Sequence, residues 1–230
     1  MMAKKHANAL ILFARDPILG KVKTRLSPFL PDETILELYI CFLRDSLDLI
    51  RQVENADLFV GIAPSNQSGF FNGLAETELH LFVQEGQDLG DKMRQAIADR
   101  FAEGYEKVVI IGSDSPSLPV TYIKRALSSD KDLILGPSTD GGYYLIGMCR
   151  KMTEVFEGVT WGKENVLHET CERLVHEEAD LELLPVWYDI DNPQDLQFFN
   201  THLQLMERAG LAQAGATARL LGKVLKTPKN

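Results

Sequence analysis

The sequence has few cysteines and no long apolar run. Its three cysteines, Cys41, Cys149 and Cys171, are far apart and form no Cys-x-x-Cys pair. This pattern disfavours a disulfide framework and a cysteine zinc site, and it is typical of reduced thiols in a cytoplasmic protein. The first apolar run has only about eight residues, which is too short to span a bilayer, and no signal-peptide cleavage pattern accompanies it. We therefore expect a cytoplasmic protein without membrane insertion.

Excess positive charge and the common nucleotide-binding patterns are also lacking. A formal net charge of −9 argues against a general affinity for nucleic acid or anionic membranes. Neither Gly-x-x-x-x-Gly-Lys-Ser/Thr nor Gly-x-Gly-x-x-Gly occurs, which disfavours a P-loop enzyme and a dinucleotide-binding oxidoreductase. The five histidines are scattered without metal-ligand spacing. The chemistry must therefore be sought among acidic and basic side chains.

Short apolar runs alternate with longer amphipathic segments along the chain. Strands are predicted at residues 8–14, 57–63, 79–84, 107–112, 132–135, 143–148 and 181–187. Helices are predicted at residues 31–53, 88–101, 119–127, 163–175 and 193–206. This alternation predicts a three-layer α/β/α fold with a mostly parallel, doubly wound sheet. We expect a single domain over 1–230, with its core at 8–205 and a C-terminal helical extension at 206–230.

The run at 107–112 ends abruptly in Gly-Ser-Asp-Ser-Pro, which contains Asp114 and Ser115. An aliphatic run of this kind is typical of a central parallel strand, and open α/β sheets bind ligands beyond the carboxyl ends of such strands. Asp114 could hold a divalent cation that in turn holds phosphate oxygens, with Ser115 beside the substrate. The alternative is that Asp114 is a turn residue or a helix N-cap.

A basic segment, Arg-Asp-Pro-Ile-Leu-Gly-Lys-Val-Lys-Thr-Arg-Leu, follows the first strand directly. A glycine allows a ligand to approach the backbone closely, and lysine and arginine side chains suit a polyphosphate. A solvated basic loop is the alternative. The candidate nucleotide-binding residues in this segment are Arg15, Gly20, Lys21, Lys23, Thr24 and Arg25.

Three further candidates lie where the predicted strand at 79–84 leads into a helix. Gln84 could read a nucleobase edge because an amide offers both a donor and an acceptor. Gly86 and Gly90 bracket the entry to the helix. The alternative is an ordinary strand-to-helix turn with Asp88 as the N-cap.

Two segments are candidates for the acceptor side of a site. The sequence Asp-Gly-Gly-Tyr at 140–143 lies between two strand-like runs, so it could be a substrate loop or a tight hairpin. The sequence Trp-Gly-Lys-Glu-Asn at 161–165 precedes a helix, so it could present a stacking surface or a helix cap. The candidate residues are Asp140, Gly141, Gly142, Tyr143, Trp161 and Asn165.

Asp189 and Asp191 flank one residue in the segment Trp-Tyr-Asp-Ile-Asp-Asn-Pro. In an extended segment the period of two places both carboxylates on the same side. Two carboxylates so close would repel each other unless they share a cation. Asn192 and Pro193 begin a helix, with Asn192 as its cap.

Together these motifs resemble the nucleotide-diphospho-sugar transferase superfamily, which has the GT-A fold. The segments Gly-Lys-Val-Lys-Thr-Arg-Leu, Gly-Ser-Asp-Ser-Pro, Gly-Pro-Ser-Thr-Asp-Gly-Gly-Tyr-Tyr-Leu and Trp-Gly-Lys-Glu-Asn-Val-Leu are similar to bacterial glycosyltransferase-like proteins associated with radical-SAM proteins. The resemblance covers roughly residues 8–205. Lys-Thr-Arg-Leu and Asp-Ile-Asp-Asn-Pro-Gln-Asp-Leu are also similar to phospholactate and molybdenum-cofactor guanylyltransferases. Asn192 stands where that group usually has threonine, and Asp114 stands alone where many glycosyltransferases have Asp-x-Asp.

The resemblance implies a metal-dependent transferase that acts on nucleotides. The main expectation is a glycosyltransferase that takes a nucleotide-sugar and a small acceptor. The first alternative is a nucleotidyltransferase that takes a nucleoside triphosphate and a phosphorylated acceptor, and the second is a non-catalytic nucleotide-binding protein. A monomer or a homodimer is expected.

The negative charge that develops in either reaction leads to a hypothesis for the roles of the candidate residues. Mg²⁺ or Mn²⁺ would be held by Asp114, Asp191 and Asp189. Lys21, Lys23 and Arg25 would bind phosphates, and Asp140 would be the candidate base. The expected catalytic residues are Asp114, Asp140, Lys23 and Arg25.

Overall fold

A seven-stranded sheet forms the centre of the computed structural model, which describes residues 4–74, 78–211 and 214–224. The strands are β1 (Asn8–Arg15), β2 (Asp57–Ala63), β3 (Leu79–Val83), β4 (Lys107–Gly112), β5 (Leu133–Pro137), β6 (Tyr143–Cys149) and β7 (Leu181–Leu183). The helices are α1 (Asp32–Ile50), α2 (Leu89–Ala102), α3 (Val120–Ser128), α4 (Val166–Leu174), α5 (Pro193–Arg208) and α6 (Gly215–Val224).

The strand order is β3-β2-β1-β4-β6-β5-β7, and only β6 runs antiparallel to its neighbours within this sheet. The predicted α/β fold with a mostly parallel sheet is therefore confirmed. β1 lies between β2 and β4, and Phe13 of β1 is in register with Gly112 of β4. This register places the basic loop after β1 beside the Gly-Ser-Asp-Ser-Pro turn after β4.

Helices cover both faces of the sheet because the buried strands are apolar on both sides. Leu10 and Leu12 of β1 face the core that contains side chains of α1, α3, α5 and α6. Ile11 and Phe13 face the opposite core, which contains side chains of α2. Successive side chains of β1 therefore pack into two apolar layers, as the sequence pattern predicts for a doubly wound sheet.

The predicted strand at 181–187 is shorter in the structure. Regular pairing stops at Leu183, and Pro185, which has no N–H to donate, follows soon after. The chain still follows β5, because Leu184 N donates to Leu135 O at 2.9 Å and Trp187 N donates to Pro137 O at 3.0 Å. This segment leads directly to Asp189 and Asp191.

The helical extension predicted at 206–230 contains the end of α5 and all of α6. α6 packs on α1, where the Asp45 carboxylate accepts hydrogen bonds from the main-chain nitrogens of Ala216 and Thr217, each at 2.8 Å. Residues 212–213 and 225–230 of the predicted extension lie outside the described residues. Among the described helices, none combines the length and apolar character that a membrane span requires.

Candidate active site

Lys23 joins two carboxylates from distant parts of the chain at the carboxyl edge of the sheet. Its Nζ lies 2.8 Å from Asp114 Oδ1 and 2.7 Å from Asp191 Oδ1. Arg25 approaches the other oxygen of Asp191, with Nη1 at 3.8 Å from Oδ2. The structure therefore brings together residues from three of the predicted clusters: the basic loop, the turn after β4 and the segment before α5.

The turn after β4 and the segment before α5 are also joined through the main chain. Ile190 N donates to Asp114 O at 3.0 Å. Asp195 completes the capping box of α5, because its Oδ2 accepts from the main-chain nitrogens of Asp191 and Asn192, each at 3.0 Å. Asn192 is the N-cap residue, as predicted. These bonds fix the backbone that presents Asp114 and Asp191.

The basic loop is anchored on both sides of Lys23. Val22 and Leu26 are buried in the core beside α1, so side chains on both sides of Lys23 attach the loop to the core. Lys23 has left-handed backbone angles, φ 46° and ψ 38°, which are uncommon outside glycine. Its side chain is only 5% exposed and points towards the carboxylates.

The charges at this point stabilise each other. Burial alone lowers the pKa of the Lys23 ammonium, but Asp114 and Asp191 reverse this effect and raise its pKa above the usual value. Burial alone raises the pKa of the Asp191 carboxyl, but Lys23 and then Arg25 outweigh it and lower that pKa. The Lys23 ammonium and the Asp191 carboxylate therefore favour each other's charged form.

Asp189 has different partners from Asp191. Its Oδ1 accepts a hydrogen bond from Ser115, and its Oδ2 accepts one from Ser138 at 2.8 Å. Burial, together with the nearby carboxylates of Asp114 and Asp140, raises the pKa of Asp189 to about 6, although the two hydroxyls oppose this shift. In the structure Asp189 links two loops, and its role as a metal ligand stays a prediction.

The donor set at Lys23 suits a divalent cation. Two carboxylate oxygens from separate segments converge on one point, and an ammonium group already stands there as a cation. Hard divalent cations prefer such oxygen ligands. Within the residues that the structure describes, no group of three or more His, Cys, Asp and Glu side chains is arranged around one point for a metal. Asp114 and Asp191 are the two carboxylates that converge here, and their role as metal ligands stays a prediction.

Tyr39 contributes to the site, although its sequence position does not indicate it. Its hydroxyl accepts a hydrogen bond from Arg15 N at 2.8 Å and lies 3.2 Å from Ser113 Oγ. Burial, followed by the charge of Asp114, raises the pKa of Tyr39 to about 12, so it remains a neutral hydroxyl. Tyr39 thus connects the start of the basic loop to the turn after β4. In the sequence it is one residue of an amphipathic helix.

Asp16 is a second residue that the sequence did not single out. It is buried directly after β1, and its Oδ2 accepts from the main-chain nitrogens of Gln67 and Ser68 at 2.7 and 2.9 Å. It therefore fixes the loop after β2 beside the basic loop. The sequence feature that could have singled out Asp16 is that it is the one acidic residue in the basic segment at 15–26.

The turn before α2 is internally packed. Gln84 Nε2 donates to Gly61 O at 2.8 Å, so this side chain binds the end of β2. Asp88 caps α2 by accepting from Asp91 N at 2.8 Å, which confirms that alternative for the turn. A Cβ on Gly86 would lie 2.7 Å from atoms of Asp91 and its neighbour, so Gly86 serves close packing within the turn. A nucleotide contact by Gln84 or Gly86 stays a prediction.

Trp161 lies against Gly90, at the start of α2. A Cβ on Gly90 would be 2.3 Å from the indole ring, so only glycine permits this approach. Trp161 also packs against the rings of Tyr143 and Phe156, at centroid distances of 6.3 and 6.2 Å. Stacking of an acceptor on Trp161 stays a prediction.

The loop at 138–142 connects β5 and β6 as a hairpin, which is the alternative predicted for this segment. Ser138 N donates to Gly142 O at 3.0 Å, and Asp140 Oδ1 accepts from Gly142 N at 3.0 Å. Asp140 is exposed at the tip. Asn165, directly before α4, makes no side-chain capping bond. The roles of Asp140 and Asn165 towards an acceptor stay predictions.

Comparisons with known proteins agree with this architecture. Residues 46–163 match the family model described as "Uncharacterized protein conserved in bacteria (DUF2064)", which covers just over half of the chain. The chain is 30% identical over 124 residues to 2-phospho-L-lactate guanylyltransferase from Methanobrevibacter smithii. That alignment covers 52% of this chain and 53% of the relative, so the chain spans about half the length of the curated protein it matches.

Solved structures cover more of the chain. A crystal structure from Desulfovibrio desulfuricans G20, assigned as a nucleotide-diphospho-sugar transferase, is 30% identical, covers 95% of both chains and has a TM-score of 0.86. A 4-diphosphocytidyl-2C-methyl-D-erythritol synthase from Anaerococcus prevotii is 10% identical, covers 86% of this chain and 97% of that one, and has a TM-score of 0.56, which shows a common fold. The predicted resemblance to this transferase superfamily is confirmed.

Proposed function

Because the chain belongs to the DUF2064 family, within the nucleotide-diphospho-sugar transferases, we propose that it is a nucleotidyltransferase. It would join a nucleoside monophosphate unit from a nucleoside triphosphate to a small phosphorylated acceptor and release pyrophosphate. The main expectation from the sequence motifs was glycosyl transfer, and the comparisons favour the nucleotidyl alternative over it.

The similarity to a guanylyltransferase is the observation that carries this proposal. The site geometry supports it independently. A triphosphate is a compact polyanion. Lys23 lies between the Asp114 and Asp191 carboxylates, and Arg25 approaches Asp191. Such a paired arrangement of cationic side chains and metal-binding oxygens is suited to phosphate chemistry.

The chain's own residues would act mainly by holding charge. An acceptor phosphate oxygen forms a new bond to the α-phosphorus, and the bond from that phosphorus to the bridging oxygen breaks. The electron pair leaves with the pyrophosphate, so negative charge develops on the leaving group. Lys23 and Arg25, which lie beside Asp191, would hold this charge together with Lys21 of the same loop.

The acceptor needs little help from a base. The second pKa of a phosphate monoester is about 6, so its attacking oxygen carries charge at neutral pH. Asp140, which is exposed on the hairpin tip, would therefore position the acceptor and need not remove a proton. Its predicted role as the base belongs to the glycosyl alternative, in which a hydroxyl attacks.

We propose further that Asp114 and Asp191 hold Mg²⁺ or Mn²⁺. When bound, the metal would supply positive charge that neutralises the phosphate oxygens. Asp114 and Asp191 suit this task because their oxygens converge on one point from two separately fixed turns. Asp189, whose oxygens are engaged by two serine hydroxyls, would support the geometry of these turns.

Glycosyl transfer remains the second candidate because the 30%-identical structure is assigned as a nucleotide-diphospho-sugar transferase. The two reactions release different products. Nucleotidyl transfer releases pyrophosphate from a triphosphate, whereas glycosyl transfer releases a nucleoside diphosphate from a nucleotide-sugar.

The test is a product assay with the purified protein and Mg²⁺ or Mn²⁺. Each of GTP, CTP, ATP and UTP is offered with 2-phospho-L-lactate and with other small phosphorylated acids, and pyrophosphate is measured together with the mass of the nucleotide product. We expect one triphosphate to yield equal amounts of pyrophosphate and product. The Asp114→Asn variant should lose roughly 100-fold or more of this activity, as expected when a charge-stabilising group is removed.

The matched control is Asp48→Asn, which changes an exposed aspartate on α1 that pairs with Arg51. It should leave turnover unchanged. Release of a nucleoside diphosphate from a nucleotide-sugar, with no pyrophosphate from any triphosphate, would establish glycosyl transfer instead. Binding of nucleotide without either product would point to the non-catalytic alternative.

A further inference from the structure

Lys23 occupies the point at which the two proposed metal ligands converge. Its ammonium lies within 2.8 Å of one oxygen from Asp114 and within 2.7 Å of one from Asp191. The Lys23 side chain is 5% exposed, whereas that of Asp114 is 43% exposed. Solvent therefore reaches the carboxylate side of the site, while the ammonium lies beneath.

A divalent cation cannot share this point with the ammonium. Mg²⁺ binds oxygen ligands at about 2.0–2.1 Å, which is closer than the ammonium stands, so both cations would need the same space between the same oxygens. The ammonium must move before a metal can use Asp114 and Asp191 together. An ammonium that leaves a buried ion pair needs a new anion, because an unpaired buried charge is strongly unfavourable.

The backbone at Lys23 is held in place, so any movement of the ammonium must come from the Lys23 side chain. Val22 and Leu26 are buried in the core beside α1 and hold the loop in place. Lys23 keeps its left-handed backbone conformation, with its Nζ 5.9 Å from the centre of the Phe42 ring. Strained backbone angles in a residue other than glycine persist only where the surroundings fix them. The flexible four-carbon stem of lysine still allows the ammonium to change partners.

We infer that Lys23 is a resident cation that keeps the site closed to free divalent metal, and that metal and nucleoside triphosphate therefore enter together. The Lys23 ammonium forms a new ion pair with the triphosphate oxygens, and Asp114 and Asp191 then become available to bind the metal. The inference rests on the proposed function, because it takes a polyphosphate as the anion that receives Lys23.

The first test measures Mn²⁺ binding without any nucleotide, by electron paramagnetic resonance and calorimetry. The Lys23→Met variant removes the competing cation but retains a side chain of similar length. We expect it to bind Mn²⁺ at least about tenfold more tightly than the natural protein, within the usual range of coupling between two ligands. The gain should disappear in the double variant that also carries Asp114→Asn.

Lys21→Met is the matched control. It removes one positive charge from the same loop, but Lys21 is exposed and makes no contact with Asp114 or Asp191 among the ion pairs of the described residues. A general electrostatic effect would strengthen Mn²⁺ binding equally in both variants, and that result would overturn the inference. Lys23→Gln, which is also neutral, provides a second variant, and circular dichroism verifies that each variant is folded.

The second test uses the natural protein alone, so it does not depend on a variant. Mn²⁺ binding is measured with and without the non-hydrolysable analogue of each triphosphate. We expect at least one analogue to tighten Mn²⁺ binding by about tenfold or more, and Mn²⁺ must tighten the binding of that analogue by the same factor. In Lys23→Met this mutual effect should be much smaller.

The inference and the proposed function can fail separately. Equal Mn²⁺ affinity of the natural protein and of folded Lys23→Met would overturn the inference, even if pyrophosphate is released. Equal Mn²⁺ affinity of the natural protein with and without every analogue would also overturn it. Conversely, a gain in Lys23→Met would support competition at the site even if the product assay reveals glycosyl transfer.

Discussion

Ser138 donates a 2.8 Å hydrogen bond to Asp189, and this bond joins the end of β5 to the segment that carries Asp191. Ser115, in the turn after β4, donates to the other oxygen of the same carboxylate. Asp189 therefore connects three segments of the site, and its lone pairs face hydroxyl groups. This arrangement supports our proposals that Asp189 orients the site and that Asp191 holds the metal.

Asp189→Asn should preserve the site. A serine hydroxyl can donate or accept, so the asparagine amide can bind one hydroxyl as acceptor and the other as donor. We expect a small change in the free energy of unfolding, below about 1 kcal/mol, whereas Asp189→Ala should cost about 1–3 kcal/mol because two hydroxyls lose their partner. Urea unfolding of both variants measures the difference.

Mn²⁺ titration of Asp189→Asn in the presence of a triphosphate analogue separates the two roles proposed for this residue. An orienting residue leaves Mn²⁺ affinity near that of the natural protein, while Asp191→Asn weakens it strongly. Loss of Mn²⁺ affinity in Asp189→Asn, of the size found for Asp191→Asn, would show that Asp189 is a metal ligand.

Asp114 and Asp191 could be predicted from sequence because their positions depend on local rules. Asp114 follows the carboxyl end of a buried strand, and such ends are where open α/β sheets bind ligands. The two-residue repeat of an extended segment also predicted that the carboxylates of Asp189 and Asp191 lie on the same side of that segment. That rule requires a regular strand, and in the structure the segment makes only an isolated bridge at Trp187, so the two carboxylates reach different partners.

The contacts of Lys23, Tyr39 and Trp161 could not be predicted in the same way. Lys23 and Asp191 are separated by 168 positions, and no local pattern specifies which carboxylate a lysine will meet. Tyr39 was one residue of an amphipathic helix, and its bond to Arg15 depends on how α1 packs beside β1. The fit of Trp161 against Gly90 depends on the absence of a side chain. Such contacts arise only from packing in three dimensions.

Gly141→Ala should destabilise the protein by more than about 1 kcal/mol, because the natural backbone does not accommodate a side chain there. Gly141 has φ +88°, and a Cβ at this position would lie 1.9 Å from the carbonyl oxygen of Glu164. This contact joins the β5–β6 hairpin to the segment before α4. Leu167 N, in the first turn of α4, also donates to Gly141 O at 2.8 Å. The midpoint temperature of thermal unfolding and the turnover rate should both fall.

Gly222→Ala is the matched control for Gly141→Ala. Gly222 lies inside α6, and a Cβ there would meet nothing within 4 Å. Alanine favours a helix by about 1 kcal/mol over glycine, so this substitution should raise stability slightly and leave turnover unchanged. A Gly141→Ala protein as stable as Gly222→Ala would contradict the close approach of Glu164 to the hairpin.

Asp45→Ala should loosen α6 from α1. The Asp45 carboxylate accepts from the main-chain nitrogens of Ala216 and Thr217 and from the Thr217 hydroxyl, so it satisfies the first turn of α6. Loss of a capping side chain costs about 0.5–2 kcal/mol. Hydrogen exchange should become faster along α6 before it changes in the central strands.

Asp48→Ala is the control for that exchange experiment. Asp48 lies on the same helix, is exposed and pairs only with Arg51 among the ion pairs of the described residues. Removal of an exposed pair of this kind changes stability by at most about 1 kcal/mol. Faster exchange throughout the sheet in Asp45→Ala, with no preference for α6, would show that α6 does not open separately.

Asp57→Asn should reduce the loss of stability in acid. Burial tends to raise the pKa of the Asp57 carboxyl, but hydrogen bonds from Lys5 N at 2.9 Å and from the Tyr105 hydroxyl at 2.8 Å outweigh it, and its pKa is lowered. The unfolded chain therefore binds a proton at this position more readily than the folded protein. The Asp57 carboxylate stabilises the folded protein fully above the ordinary carboxyl pKa near 3.8. This stabilisation is lost as the pH falls through the lower pKa that Asp57 has in the folded protein.

The measurement is urea unfolding of the natural protein and of Asp57→Asn between pH 3 and pH 6, because effects of the other carboxylates cancel in the difference. The advantage of the natural protein should be largest at the upper end of this range and should shrink towards pH 3. Tyr105→Phe removes one of the two hydrogen bonds, so it should show an intermediate dependence. A difference that stays constant with pH would mean that these bonds do not favour the charged form of Asp57, since a lowered pKa requires the folded state to release that proton first.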